Sequence, residues 1–227
     1  MVNRLLDNNS LSKLIAEKIT EQILTGELQP GEKIAETTYA EEYGISRAPI
    51  REALYLLTID GLVERIPRKG AVVKGYSDLE MYDLMEIRKM LENLAIKRIS
   101  EQGCDFSIIE KMEALLPLME KATSREQYAN LNHQFHSLLI DMTKSEVIIK
   151  MYSRLGLPLL TLQTMSFMEE RYISKSLHDH QLIIEMLKQG DFDKAKSILD
   201  KHNNDVIMRI KNAFAKKKKR NKNSQGG

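Results

Sequence analysis

The chain has 227 residues, of which 42% are hydrophobic and 29% charged, an ordinary globular composition that fits one or two domains with cores of their own. Its formal net charge is only +2 and its single cysteine is Cys104, which excludes a disulfide framework and a paired-cysteine zinc motif and leaves bulk charge silent about nucleic acid. No apolar run approaches the roughly 20 residues that cross a bilayer, and MVNRLLDNNS lacks a secretory core, so the expected setting is cytoplasmic, with no membrane partner.

The text changes character near Tyr76. Before it, glycines at 26, 31, 44, 61, 70 and 75 punctuate short segments; after it, glycine and proline are sparse and apolar residues recur at helical spacing. Domains are expected over 1–76 and 77–213, with 214–227, which contains KKKKR, left as a disordered basic tail. In chain order, 10–25 carry Leu11, Leu14, Ile15, Ile19, Ile23 and Leu24 as a one-sided helical stripe closed by Gly26. LQPGEKI is a Pro-Gly turn, a short helix starts near Glu36, and Gly44 ends it as a left-handed cap. Ser46 is an N-cap for a helix over 47–59, with Pro49 in the first turn, where a missing N–H costs nothing. LVERI and AVVKG then read as two strands around PRKG, a hairpin with a basic tip.

Helix, turn, helix and hairpin in this order make a winged helix-turn-helix. The first turn of its second helix meets base edges in the major groove, so its outer face should carry arginine and small polar groups. ISRAPIREAL offers Ser46, Arg47 and Arg51 there, the two arginines on one face, and leaves Ile50, Ala53, Leu54 and Leu57 to the core. Arg68, Lys69 and Gly70 form a wing that can lie against phosphates or in the minor groove. On pattern alone, the competing reading is a small α/β domain whose arginines are solvated surface.

The second half reads as an all-helical bundle, so the fold class is mainly α: a winged helix-turn-helix with a small β-hairpin, then a C-terminal helical bundle. SDLE at 77–80 and SREQ at 124–127 have capping-box spacing, Asp105 and Asp191 are N-caps, and Gly190 closes a helix. Leu84, Ile87, Leu91, Leu94 and Ala95, with Leu182, Ile183, Met186 and Leu187, are the expected core faces.

Two stretches resemble known families. LQPGEKIAETTYAEEYGISRAPIREALYLLTIDGLVERIPRKGAVV looks like the DNA-binding domain of the GntR family of regulators. The resemblance implies base contacts from Arg47 and Arg51, Ser46 and Ala48 at the groove, and Lys69-Gly70 at the wing tip. Relatives often carry Arg near the position of Thr37. DLMEIRKMLENLAIK, LNHQFHSLLI and HDHQLIIEMLKQGDFDKAKSILDKH are similar to the ligand-binding domain of the FadR-type (FCD) subgroup. A homodimer on a pseudo-palindromic operator is what that likeness implies.

All five histidines lie beyond residue 130. Asn132 and His136 are four apart on one helical face, and His180 and His202 flank the Gly190-Asp191 turn, so antiparallel pairing brings both imidazoles to one point. Three imidazoles and one oxygen suit Zn²⁺, Ni²⁺ or a similar divalent transition metal with open positions. Metal-binding members of the subgroup usually have Asp where Asn132 stands. His133 is read as surface. Arg88 is the candidate effector residue, its guanidinium clamping a carboxylate; the alternative is an intrahelical pair with Glu92.

The expected function is a repressor whose operator binding responds to a small carboxylate metabolite held in a metal-containing helical domain. Two other readings stand beside it. One keeps DNA binding with a metal-free domain for an acyl or lipid-like ligand. The other is a metal-dependent enzyme, opposed by Gln134 and Phe135 standing where a metal hydrolase helix needs its general base.

Overall fold

The computed structural model describes residues 2–25 and 27–224, with side chains described over 11–23, 27–156 and 158–213. The chain is mainly helical and carries one small antiparallel sheet. It divides into two compact units, 1–81 with 156–161, and 82–155 with 162–227.

In the first unit, α1 (Val2–Thr25) buries Ile15, Ala16, Ile19 and Ile23, with Ser12 and Thr20 on the same stripe. Leu14 stands off that stripe and is 61% exposed, so it is not the core residue its chemistry suggests; the side chain of Leu24 lies outside the described residues. β1 (Lys33–Ile34), α2 (Glu36–Glu42), α3 (Arg47–Ile59), β2 (Val63–Ile66) and β3 (Gly70–Val73) follow. The sheet order is β1-β3-β2, with Lys33 opposite Val72 and Val63 opposite Val73. The hairpin matches the expectation; β1, only two residues long, leaves no alternating signal in the sequence. Pro49, Ile50, Ala53, Leu54 and Leu57 of α3 are buried, and α3 packs on α1. Each fully buried aliphatic side chain there contributes about 1.5–3 kcal/mol. At the β2–β3 turn Arg68 has φ 68° and Gly70 φ 89°. Gly70 adopts this freely, whereas Arg68 holds a backbone region uncommon for a residue with a Cβ.

The second unit is built from α4 (Asp78–Gln102), α5 (Phe106–Glu120), α6 (Arg125–Asp141), α7 (Glu146–Ser153), α8 (Gly156–Ser166), α9 (Glu170–Gln189) and α10 (Phe192–Ser224). α4 begins, and α8 begins, among residues grouped with the first unit. α9 packs on α10 and α5, α5 on α6, and α6 on α7. Ser77 and Glu80 make the reciprocal capping box: the Ser77 N–H donates to Glu80 Oε2 at 2.8 Å and the Glu80 N–H to Ser77 Oγ at 3.2 Å. Ser124 accepts from the Gln127 N–H at 3.1 Å, but Gln127 Oε1 returns to Thr123 instead. Asp105 and Asp191 accept the expected backbone N–H bonds, from Ser107 and Lys194.

α4 corrects the expected core face. The stripe it buries is Met81, Met85, Arg88, Glu92, Ala95, Ile96 and Ile99. Ile87 is 43% exposed, and Leu84, Leu91 and Leu94 are only half-buried. The helix is rotated so that a charged pair, and not the leucines, sits at the centre of the unit. α10 continues to Ser224 where the sequence suggests a disordered tail from residue 214.

Candidate functional site

The first turns of α3 present Ser46, Arg47, Ala48 and Arg51 outward. Pro49, Ile50, Ala53 and Leu54 occupy the opposite face and are buried, because residues four apart share a face and the apolar ones must turn inward. Ser46 takes the N-cap position with an extended backbone, but its hydroxyl makes no capping bond. Arg68, Lys69 and Gly70 are exposed at the β2–β3 turn. The sequence reading misses Glu36: its Oε2 accepts from Arg51 Nε at 3.3 Å and Nη2 at 3.2 Å.

The second site lies inside the helical unit. α6 carries Asn132 and His136 on one face, α9 carries Asp179 and His180, and α10 carries His202 and Asn203; all six are buried. Gly190 caps α9 with φ 74°, a left-handed turn that reverses the chain into α10. The ring centroids of His180 and His202 are therefore 4.9 Å apart, and His136 lies 5.1 and 5.2 Å from them. One ring nitrogen from each of the three histidines falls within 4.8 Å of the others. His136 Nε2 and His180 Nε2 are 3.3 Å apart. Two bonds of about 2.0–2.1 Å at a tetrahedral angle put their nitrogens about 3.3 Å apart.

Carboxylates stand behind two of the rings. His136 Nδ1 lies 3.1 Å from Glu92 Oε1, off the line of a well-directed hydrogen bond, and His202 Nδ1 lies 3.4 Å from Asp179 Oδ2. Such carboxylates fix a ring's orientation and leave Nε2 as the donor turned inward. His202 Nε2 and His180 Nδ1 are buried with no hydrogen-bond partner. Burial, reinforced by the Arg88 charge and opposed by Glu92, pushes His136 down to about 3. Burial and then the neighbouring His202 take His180 well below the usual imidazole range, and burial lowers His202 too. Neutral imidazole is the form that ligates a metal.

Glu92 is the hub that sequence reasoning saw only as a partner for Arg88. Its Oε1 accepts from Arg88 Nε at 2.7 Å and from the Tyr152 hydroxyl at 3.2 Å, and its Oε2 accepts from Asn203 Nδ2 at 2.7 Å. Burial alone would raise its carboxyl, but Arg88 and His136 outweigh that and hold it below the usual carboxylate range. Arg88 and Glu92 both have no exposed side-chain surface. The intrahelical pair thus exists, yet Arg88 Nη1 and Nη2 make no well-directed hydrogen bond and have the Tyr152 hydroxyl beside them. His133, read as surface, is instead half-buried and stacks on Tyr152 at 5.9 Å.

Residues 11–73 match the family of bacterial regulatory proteins named gntR, and residues 83–205 match the FCD domain. The HTH-type transcriptional regulator YdhC of Bacillus subtilis is 26% identical over 200 residues, 87% of this chain and 89% of its own. The gluconate operon transcriptional repressor of the same species is 25% identical over 207 residues, 88% and 84% of the two chains. A GntR transcriptional regulator structure from Rhodococcus sp. RHA1 superposes with a TM-score of 0.67 at 20% identity, covering 90% of this chain and 99% of that one, which establishes likeness of fold. Among the described residues, no helix is long and apolar enough to cross a membrane.

Proposed function

The chain belongs to the GntR family of bacterial regulatory proteins, with an FCD domain as its second half, and from that premise we propose an operator-binding repressor controlled by a small anionic metabolite. The observation that carries the DNA reading is the division of α3, with Ser46, Arg47, Ala48 and Arg51 outward and Ile50, Ala53, Leu54 and Leu57 in the core. Arg47 and Arg51 reach base edges in the major groove, and Arg68, Lys69 and Gly70 rest on phosphates or in the minor groove. A homodimer sets two such helices about 34–36 Å apart on a pseudo-palindromic site. Leu84, Ile87, Leu91 and Leu94, spaced as a helical seam and not fully buried within one chain, supply apolar surface for that association.

In the helical unit, His136, His180 and His202 would hold a divalent transition metal, Zn²⁺ or Ni²⁺, with Asn132 as the oxygen donor on the same face of α6 as His136. Bound there, the ion supplies a Lewis-acidic position for an anionic oxygen. Asn132 is neutral, and Glu92 and Asp179 are already committed to Arg88 and Lys175 at 2.7 and 2.9 Å, so these donors leave the dication uncompensated. A carboxylate effector restores the balance, and Nη1 and Nη2 of Arg88 clamp it. The effector changes operator occupancy only through its different affinity for the DNA-competent and incompetent states. The relatives and matched families are transcription regulators, not enzymes, and no catalytic step belongs to this account.

The test is selection of duplexes from a random-sequence pool on the full chain. Binding of the selected duplex is then measured by fluorescence anisotropy, with and without chelator and with a panel of small carboxylates. A symmetric selected site, with affinity that moves with a carboxylate only when metal is present, is the expected result. No enrichment over shuffled DNA overturns the operator reading. Enrichment with no response to metal or carboxylate overturns the sensing half and turns the search to acyl ligands.

A further inference from the structure

We propose that Glu36 is a specificity-determining residue that positions Arg51 for base recognition, an inference that rests on the reading of Arg51 as a base contact. The ion pair joins two helices across fifteen residues: Glu36 opens α2, and Arg51 projects from the second turn of α3. One carboxylate oxygen, Glu36 Oε2, receives both Arg51 Nε and Nη2, at 3.3 and 3.2 Å. That uses the inner edge of the guanidinium. Of its five N–H groups, those on Nη1 and the second on Nη2 remain directed away from the carboxylate, and this outer edge has the fork geometry that matches O6 and N7 of guanine.

Exposure decides what the pair is for. Arg51 keeps 61% of its side-chain surface exposed and Glu36 29%. A pair this wet contributes little to folding, so its consequence lies in how Arg51 is presented. Held before DNA arrives, the guanidinium loses less rotamer freedom on binding. Glu36 also places a negative charge beside the face where phosphates approach, which penalises any complex in which Arg51 swings away to a phosphate. Both effects act in one direction. Glu36 sacrifices sequence-independent affinity and sharpens the reading of one base pair in each half-site.

The experiment uses the full chain, the duplex selected from a random pool by the unaltered protein, and a shuffled duplex of the same composition. Binding is measured over a range of salt concentrations for the wild type, Glu36→Ala, Glu36→Gln, Arg51→Ala and the Glu36→Ala/Arg51→Ala pair. Base preference is profiled at each position of the selected site. For Glu36→Ala, binding to the shuffled duplex is expected to strengthen, and its salt slope to steepen by about 0.9 per protomer as the released Arg51 finds a phosphate. The ratio of selected to shuffled affinity should fall about tenfold, within the roughly 5- to 150-fold that a bidentate arginine–guanine pair supplies. The loss of base preference should be confined to the position that Arg51→Ala also flattens, with the double variant no worse than Arg51→Ala alone. Glu36→Gln should behave like Glu36→Ala in salt slope, because the charge is gone. An unchanged ratio and base profile in Glu36→Ala overturns the proposal, as does an equal loss on both duplexes. Arg51→Ala with an unaltered base profile overturns the underlying reading of Arg51 itself, whatever Glu36→Ala does.

Discussion

Replacing Glu92 by Gln tests how the second unit is held together. The carboxylate of Glu92 takes Arg88 Nε at 2.7 Å, the Tyr152 hydroxyl at 3.2 Å and the Asn203 amide at 2.7 Å, and no part of it or of Arg88 reaches solvent. Glutamine preserves the shape and one acceptor but leaves the Arg88 charge uncompensated in the core. Removing one member of a buried pair costs about 3–5 kcal/mol, a large part of the roughly 5–15 kcal/mol that holds a domain folded. With a urea slope near 2 kcal/mol/M, the unfolding midpoint should fall by about 2 M. Arg88→Met/Glu92→Gln removes both charges, and the glutamine carbonyl still accepts from one of the Tyr152 hydroxyl and the Asn203 amide, leaving the other short of an acceptor at about 1–3 kcal/mol. The pair should therefore cost less than Arg88→Met and Glu92→Gln added together, with a coupling of about 2–3 kcal/mol in the cycle. Urea unfolding followed by far-ultraviolet circular dichroism reads all four proteins. A cost below about 1 kcal/mol for Glu92→Gln, the range of exposed pairs, or strictly additive costs would refute the account of Glu92 as a buried hub.

Other consequences follow from the same geometry. His136 and His180 remain neutral when folded, their affinity for protons depressed by burial, whereas in the unfolded chain they protonate near pH 6.5. The folded values lie below the unfolded ones, so stability is complete above about pH 6.5 and is lost as pH falls toward the folded values. Between pH 7 and 5 His136 should remove about 2 kcal/mol of metal-free stability, with His180 acting in the same direction, and a flat urea midpoint across that range would contradict their burial as neutral rings. Asp179→Asn, which weakens the support of His202 at Nδ1, should reduce metal affinity about 10- to 100-fold in chelator competition. Asn132→Asp should tighten metal binding about tenfold, because ligand charge count tunes affinity, and by reciprocity shrink the gain from an added carboxylate; calorimetry with and without a weakly chelating monocarboxylate such as acetate reads both. Arg47→Ala should cost about 1–3 kcal/mol on the selected duplex and relax one base position, and uniform weakening across sequences would assign Arg47 to phosphate instead.

Much of the first unit is legible in the sequence because its signals are local. Ser46, Pro49 and Gly44 mark the boundaries of α2 and α3 within a few residues, and the apolar spacing of Ile50, Ala53, Leu54 and Leu57 fixes which face is left for Arg47 and Arg51. β1 is invisible because two residues carry no period, and its pairing partner β3 lies far along the chain. Periodicity misassigns α4 for a physical reason: it assumes that apolar residues face the core, while here Arg88 and Glu92 do so because each satisfies the other. The histidines were findable, since their spacing and the Gly190 turn bring His180 and His202 together. Their supports were less so. Asp179 meets His202 and Glu92 meets Asn203 only after folding, and no local spacing announces contacts between residues that are distant in sequence. Glu36 and Arg51 are hidden in the same way.

The central claim, a metal-held effector site in the helical unit, is tested most directly by elemental analysis of the purified full chain beside its His180→Ala/His202→Ala variant. About one equivalent of a transition metal per chain, absent from the variant, is the predicted result. No metal in the wild type, even after incubation with Zn²⁺ or Ni²⁺, would contradict it and leave the three histidines as packed, neutral core side chains.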